Sequence, residues 1–535
     1  MPPPAAAREA DHSLDPESGK TVIRKARFAS QALFLLLFLW LFLQTESKGA
    51  DQLGYPVKFF LDADPLLALT AILSSRSFLP SMLLAGAVAL ATVFLGRFFC
   101  GWVCPLGTLH NLAGAAVRKR RRVVPMGSFR LKYLLLVFLL ASSAFTLQIA
   151  GIFDPLSLLI RSLSLSVYPA FQYGITSFLD ALSRWPVPGL APAADWLLDV
   201  LHKSVLSLRQ PLFSQGFILG LLFLGILALN WVERRYWCRY LCPLGALLGI
   251  LSRWSLLSRS VSEGCDSCGA CVPGCEGGCS PQSLDKWRKT ECYLCGNCDD
   301  ACPKNAVSFG FGRKAGGSSL DLGRRRVVAA AAAGVAAVPL LRIGPTRAGQ
   351  ADPRLIRPPG SLEEREFLRR CVKCGECMKV CITGGLQPAL AETSLEGIWS
   401  PVLVPRVGYC EYRCTLCGQV CPTGAIRSLK PQEKTDVKIG LAMIDQGRCL
   451  PWSHAVPCIV CEEVCPTPQK AVLLEEVTVK DRDGRPVTVK QPRVDLERCI
   501  GCGICENRCP VLGMPAIYVL SVGESRSRDN QLLLP

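Results

Sequence analysis

Histidine is nearly missing from this chain: His12, His110, His202 and His454 are the only four. None has a partner at a spacing that would bracket a haem iron, and no Cys-x2-Cys-His occurs, so cytochrome b and cytochrome c readings both fail. A Gly-rich nucleotide fingerprint and a Ser/His/Asp constellation are also absent. The chain reads as a conduit that needs a partner enzyme at its far end. Charge is sparse as well, at 19% of residues, and unbalanced: the formal net charge of +17 falls almost wholly in residues 1–345, because residues 346–535 hold 25 Lys and Arg against 22 Asp and Glu. These basic clusters flank apolar runs, the pattern of membrane orientation, so nucleic-acid binding is set aside.

Long hydrophobic runs are present instead. With 535 residues, 50% of them hydrophobic, and a mean hydropathy of +0.29, the chain exceeds one domain and is too apolar to be wholly soluble. Four segments approach the length needed to cross about 30 Å of hydrocarbon: Phe28 to Leu43, Leu79 to Phe99, Leu131 to Ala150 and Phe213 to Val232. Arg24, Lys25 and Arg27 precede the first, Arg118 to Arg122 follow the second, and Arg234 and Arg235 follow the fourth. A cytoplasmic N-terminus puts all of these on one side. The expected fold is therefore an α-helical membrane domain of four spans over residues 28–245, behind a cytoplasmic tail at 1–27, joined to α+β bacterial-type ferredoxin domains.

Cysteine is the residue in excess, with 29 in the chain. Six quartets account for most: Cys265, Cys268, Cys271 and Cys275; Cys292, Cys295, Cys298 and Cys302; Cys371, Cys374, Cys377 and Cys381; Cys410, Cys414, Cys417 and Cys421; Cys449, Cys458, Cys461 and Cys465; Cys499, Cys502, Cys505 and Cys509. Cys-x2-Cys-x2-Cys wraps one loop around a cubane, and the fourth Cys, often before Pro, ligates the other cluster of a pair. Pro303, Pro422, Pro466 and Pro510 follow fourth cysteines here. Zinc would call for two Cys-x2-Cys pairs across a longer spacer, and a disulfide scaffold for a short secreted chain. Six [4Fe-4S] clusters are expected, two in a domain at 260–312 and four in a domain at 360–520, followed by a tail at 521–535. Cys275 and Cys279 compete as one fourth ligand, and the regular three-residue gap favours Cys275.

The apolar half repeats itself. Asp64-Pro65-Leu66 precedes a segment ending in Arg97-Phe-Phe-Cys100-x3-Cys104-Pro105-Leu106-Gly107; Asp154-Pro155-Leu156 precedes one ending in Arg235-Tyr-Trp-Cys238-x3-Cys242-Pro243-Leu244-Gly245. The second copy is lengthened by residues 157–211. Spacing of i, i+4 sets each cysteine pair on one helix face, so Cys100, Cys104, Cys238 and Cys242 either hold one further cluster or are free thiols, packing residues or a docking surface. Asp64 and Asp154 are expected as helix N-caps, with proton acceptance or a quinol site as the weaker reading, and His110 as a surface residue beside Pro105.

Two Arg-aromatic-aromatic-Cys-x3-Cys-Pro-Leu-Gly motifs followed by a two-cluster segment resemble the NapH family, the membrane quinol dehydrogenase subunit associated with periplasmic nitrate reductase, over about residues 20–312. The remaining quartets, with their unusual Cys410-x3-Cys414 and Cys449-x8-Cys458, resemble the NapG/MauM family of four-cluster ferredoxins over about 324–520. The chain thus looks like a fusion of two proteins that are usually separate. The resemblance to such ferredoxins implies that outer motifs pair with each other and inner motifs with each other.

At the junction, 323–345, Gly323-Arg324-Arg325-Arg326 and the apolar Val327 to Leu341 resemble a twin-arginine export signal, without its usual Ser and Phe and without a following Ala-x-Ala. An uncleaved anchor or fifth span is expected, against an Ala-rich linker helix; an anchor places the two-cluster domain in the cytoplasm and the four-cluster domain in the periplasm of a bacterial inner membrane. The expected function is oxidation of quinol, with single electrons relayed through the clusters to a periplasmic reductase or cytochrome partner. Assembly or regulation of a respiratory metalloenzyme, and reverse flow into the quinone pool, are the competing readings, since cluster potentials cannot be read from ligands.

Overall fold

The computed structural model describes residues 22–46, 52–78, 80–116, 128–185, 189–207, 212–281, 287–312, 322–343, 352–390, 392–480, 482–527 and 530. The Arg118–Arg122 cluster, His12, residues 1–21 of the expected tail, Leu79, residues 344–345 of the junction and most of 528–535 lie outside them.

The expected four-span domain is not what the chain builds. Among the described residues one helix, Val22–Gln44, contains a stretch long and apolar enough to cross a membrane, Ile23–Gln44, a property that anchors, signal sequences and buried core helices share. The other three segments are cut short by backbone geometry. Leu83–Leu95 has 13 residues and stops at Gly96, whose φ of +76° no helix continues. Arg130–Ala144 has 15 and stops before Thr146 at φ +69°. Gly216–Ala228 has 13 and tightens into the 3-10 turn Leu229–Trp231. At 1.5 Å per residue, thirteen residues reach about 20 Å, well under the thickness of a hydrocarbon core.

These helices assemble instead as one body built from two copies of the repeat. Asp64 caps Pro65–Ser75 and Asp154 caps Pro155–Ser162, each with Pro in the first turn, where a missing N–H costs nothing. The leucines that follow the two Asp-Pro and the two Cys-Pro pairs, Leu66, Leu156, Leu106 and Leu244, are all buried in a shared core. Full burial of such a side chain stabilises by about 1.5–3 kcal/mol. The insertion in the second copy forms Tyr168–Ser183 and Leu190–Ser204.

The cysteine-rich segments lie at two separate ends of this body. One is closed by an antiparallel pair, Leu257–Val261 with Val307–Phe311. The C-terminal segment carries three more two-stranded sheets: Leu386–Pro388 with Pro401–Leu403, Leu441–Ile444 with Ile517–Leu520, and the long hairpin Val472–Lys480 with Pro486–Val494. Backbone meets backbone at both junctions. A Cβ on Gly101 would lie 2.3 Å from the Tyr293 carbonyl oxygen at one end, and a Cβ on Gly151 would lie 1.9 Å from that of Val372 at the other. Between the two ends the helix Arg324–Leu341 runs along Arg130–Ala144, with Gly334 against the Phe138 carbonyl, and Arg342 then pairs with Glu396 at 2.8 Å.

Candidate functional site

The first three cysteines of four quartets lie in one recurring backbone loop. Ser267, Leu294, Lys373 and Gly501, each just before the second cysteine, have φ between +54° and +71°, and the glycines just after it, Gly269, Gly296, Gly375 and Gly503, are also left-handed. Alternating hand turns successive N–H groups inward and makes a concavity suited to an anion. Non-glycine residues pay steric strain at three of these positions, which marks the loop shape as imposed by its content. The quartets at Cys410 and Cys449 have altered spacing and lack this pattern.

The cysteines converge as the crossing rule requires. Hollows are lined by Cys265, Cys268, Cys271 and Cys302; by Cys371, Cys374, Cys377 and Cys421, the inner site of the C-terminal segment; by Cys410, Cys414, Cys417 and Cys381, the second site; and by Cys449, Cys458, Cys461 and Cys509, the outer site. Cys499, Cys502 and Cys505 with Cys465 make a third site. Consecutive motifs therefore exchange fourth ligands, the first with the second and the third with the fourth, which corrects the outer-with-outer pairing implied by resemblance. A backbone pairing encloses each exchanging couple: Ser361 with Ile426 around the first and second motifs, and Leu441–Ile444 with Ile517–Leu520 around the third and fourth. The two halves then join in a row: the Cys410 N–H donates to the Cys502 carbonyl at 2.8 Å, linking the second site to the third.

Donor chemistry fits a cluster at these sites. All 29 cysteines are free thiols, and several sulfurs accept backbone N–H bonds, among them Cys302 from Ala306 at 3.3 Å, Cys421 from Ile426 at 3.5 Å and Cys499 from Ala442 at 3.4 Å. The same bond reaches Cys275 from Cys279 at 3.3 Å, and the two sulfurs lie 3.2 Å apart beside Cys292.

Cys100, Cys104, Cys238 and Cys242 also gather, although not on helix faces as spacing suggested. Cys100 and Cys238 sit in π-helical turns, Phe99–Val103 and Trp237–Leu241, and Cys104 and Cys242 are extended residues from which Pro105–Ala116 and Pro243–Leu251 start. Such turns recur at functional sites because they re-aim a side chain. Burial pushes the thiols of Cys104 and Cys242 well up, and the neighbouring sulfurs push them further. Four thiolates can share this space only with cations among them.

The arginines of the two motifs cross over. Arg235 donates to the carbonyls of Cys100 at 3.3 Å and Gly107 at 3.1 Å, and Arg97 lies 3.9 Å from the Cys100 sulfur and against Gly245. Their guanidiniums bracket the ring of Tyr293, at 4.8 and 4.9 Å from its centroid, so one aromatic ring stands between these four cysteines and the Cys292 loop. Glu291 beside it takes Arg97 at 3.1 Å, Lys132, and the Tyr133 hydroxyl at 2.8 Å. Sequence alone gives Arg97 no role and Arg235 only an orienting one, although the repeated Arg-aromatic-aromatic-Cys pattern marks both; Glu291, Tyr293, Arg161 and Lys373 carry no such signal.

Asp64 and Asp154 are the expected N-caps. Asp64 Oδ1 accepts from Leu66 and Leu67, and Asp154 Oδ2 from Leu156 and Ser157. Their remaining oxygens have no donor, and the two carboxyls face each other. His110, expected on the surface, is buried; its Nδ1 lies 2.8 Å from the Asn230 amide, and burial followed by nearby Arg235 lowers its pKa to about 4.

A family model described as a 4Fe-4S binding domain matches residues 77–123 and 215–261, the segments that carry the two Cys-x3-Cys-Pro motifs, and another of that description matches residues 492–512. The ferredoxin-type protein MauM of Methylorubrum extorquens, named for methylamine utilization, is 36% identical over 177 residues, covering 32% of this chain and 76% of its own. Its counterpart in Paracoccus denitrificans is 38% identical over 177 residues, 32% of this chain and 74% of that one. The ferredoxin-type protein NapG of Escherichia coli is 35% identical over 203 residues, 37% of this chain and 85% of its own. No solved structure matches.

Proposed function

We propose that this chain, which belongs to the MauM and NapG family of ferredoxin-type proteins and is an iron–sulfur electron-transfer protein, takes its electrons from quinol and hands them to a periplasmic reductase or cytochrome partner. The clusters supply one-electron chemistry when bound. The residues supply the rest: six cysteine quartets hold them, a seventh set at Cys100, Cys104, Cys238 and Cys242 adds one more between the two segments, and the short sheets keep successive sites adjacent.

The observation that carries this reading is the placement of two cysteine-rich segments at separate ends of one helical body that itself holds four cysteines. A single-site ferredoxin needs no such body. Quinol gives up two protons with its electrons, so a donor site needs a proton acceptor, and the buried pair of Asp64 and Asp154, which holds one proton between two carboxyls, has room for a second. Helix Val22–Gln44 supplies the contact with the membrane in which quinol resides.

The test is anaerobic. A reduced short-chain quinol added to membranes containing the protein should bleach the cluster absorbance near 400 nm within the turnover of the preparation, and should do so less when Asp64 and Asp154 are both Asn. Bleaching by a reduced partner protein with none by quinol would instead support reverse flow, the reading that relatives named for methylamine utilization favour.

A further inference from the structure

We propose that Arg161 and Lys373, two buried cations brought together from the helical body and the inner cysteine loop, make the site of Cys371, Cys374, Cys377 and Cys421 the most oxidising of the four in the C-terminal segment, so that electrons passing between the halves come to rest there.

Lys373 lies inside the Cys371-x-x-Cys374 loop and is 1% exposed; Arg161, from the helix that Asp154 caps, is 3% exposed. Neither has a carboxylate within 4.0 Å among the described residues. Lys373 Nζ donates to the Gln148 carbonyl at 2.5 Å. Arg161 donates to the carbonyls of Lys373 at 2.9 Å, Gly151 at 3.2 Å and Ile152 at 3.2 Å, and stacks 4.6 Å from the ring centroid of Trp399. Every one of these acceptors is neutral.

The more distant carboxylates are already engaged. Asp154 accepts the N–H groups of Leu156 and Ser157, and Glu396 pairs with Arg342. The sulfurs of Cys371 and Cys374 face the two cations, while Glu376, the buried carboxyl beside Cys374, has Lys379 as its own cation. A buried cation without a counterion is costly, so the countercharge has to come from the thiolate-bound group. Reduction adds one more negative charge at the same place, and two cations in a low-dielectric setting favour that addition.

The other three sites are less well supplied. Lys434 stands at the second site, bonded to the carbonyls of Glu411 and Tyr412 at 2.9 and 2.8 Å, with the Glu411 carboxylate also beside Cys410. Lys438 stands near Cys499 at the third site, bonded to the Leu496 carbonyl at 2.9 Å. The outer site has Asp445 beside Cys449 and, among the described residues, no buried Lys or Arg at its cysteines. Positive charge therefore falls from the inner site to the outer one, and potential should fall with it.

The experiment is a redox titration of the anaerobically purified full chain, followed by the electron paramagnetic resonance of each reduced cluster, with iron content measured on the same samples. Lys373→Met and Arg161→Gln should each shift the highest of the C-terminal midpoint potentials downward, Lys373→Arg should leave it in place, and Lys434→Met should shift a different transition. An unmoved highest transition in both inner-site variants, or its movement by Lys434→Met instead, would overturn the assignment. If Lys373→Met loses iron, Arg161→Gln, which lies outside the cysteine loop, decides alone. The inference rests on the cluster reading of these sites; a chain without iron defeats that reading, whereas full iron with an unmoved potential defeats only this one.

Discussion

The carboxyl groups of Asp64 and Asp154, one from each copy of the repeat, face each other in the buried core while each caps its own helix. Two buried carboxyls that face each other cannot both stay charged without a proton between them. Burial first, and Asp154 second, push the Asp64 pKa well above the usual carboxylate range, so Asp64 keeps that proton. The folded chain binds it more tightly than the unfolded one does. The stability this contributes is complete below about pH 4 and is lost as pH rises through the folded value. Thermal unfolding as a function of pH should show that decline, and Asp64→Asn, which keeps a donor toward Asp154 and an acceptor for the cap, should flatten it. Asp64→Ala should cost about 1–2 kcal/mol from the lost cap alone.

Gly151→Ala tests the docking of the C-terminal segment. The added methyl would meet the Val372 carbonyl at 1.9 Å, a backbone atom that cannot swing aside. Overpacking of this kind costs about 1–3 kcal/mol. Limited proteolysis near the junction should accelerate, while iron content stays at the wild-type level because no ligand is touched.

Glu291→Gln should be the more damaging change at the other end. It removes the charge that holds Arg97 and Lys132, both fully buried. Breaking one side of a buried ion pair costs about 3–5 kcal/mol. Denaturant unfolding should report a loss of that order, and Glu291→Gln combined with Lys132→Met should recover part of it.

Cys100→Ser with Cys238→Ser should lower iron by about four atoms per chain and leave the remaining clusters in place, since one cubane holds four irons. Cys275→Ala should lower it likewise, because the Cys275 sulfur takes the Cys279 N–H as other ligand sulfurs take theirs. Cys279→Ala should not.

The cysteine sites were legible because loop spacing is a local property: Cys371 to Cys377 must wrap one object wherever the loop sits. The N-capping roles of Asp64 and Asp154 were legible for the same reason, as an Asp-Pro pair satisfies the first turn by itself. What spacing cannot carry is the partner across the fold. The pairing of Cys381 with the Cys410 motif is set by which backbone segments meet, and the lowered pKa of His110 by burial and by Arg235 from the other copy of the repeat. Apolar length misled most. The runs Leu79 to Phe99 and Phe213 to Val232 satisfy a hydropathy window, but Gly96 and the turn at Leu229–Trp231 divide them into helices of 13 residues.

Iron and acid-labile sulfide per chain, measured after anaerobic purification, test the central claim most directly. Six quartets and the seventh cysteine set call for about 28 irons with equal sulfide, in the spectroscopic signature of [4Fe-4S] clusters. A value near eight, or iron without sulfide, would contradict the account.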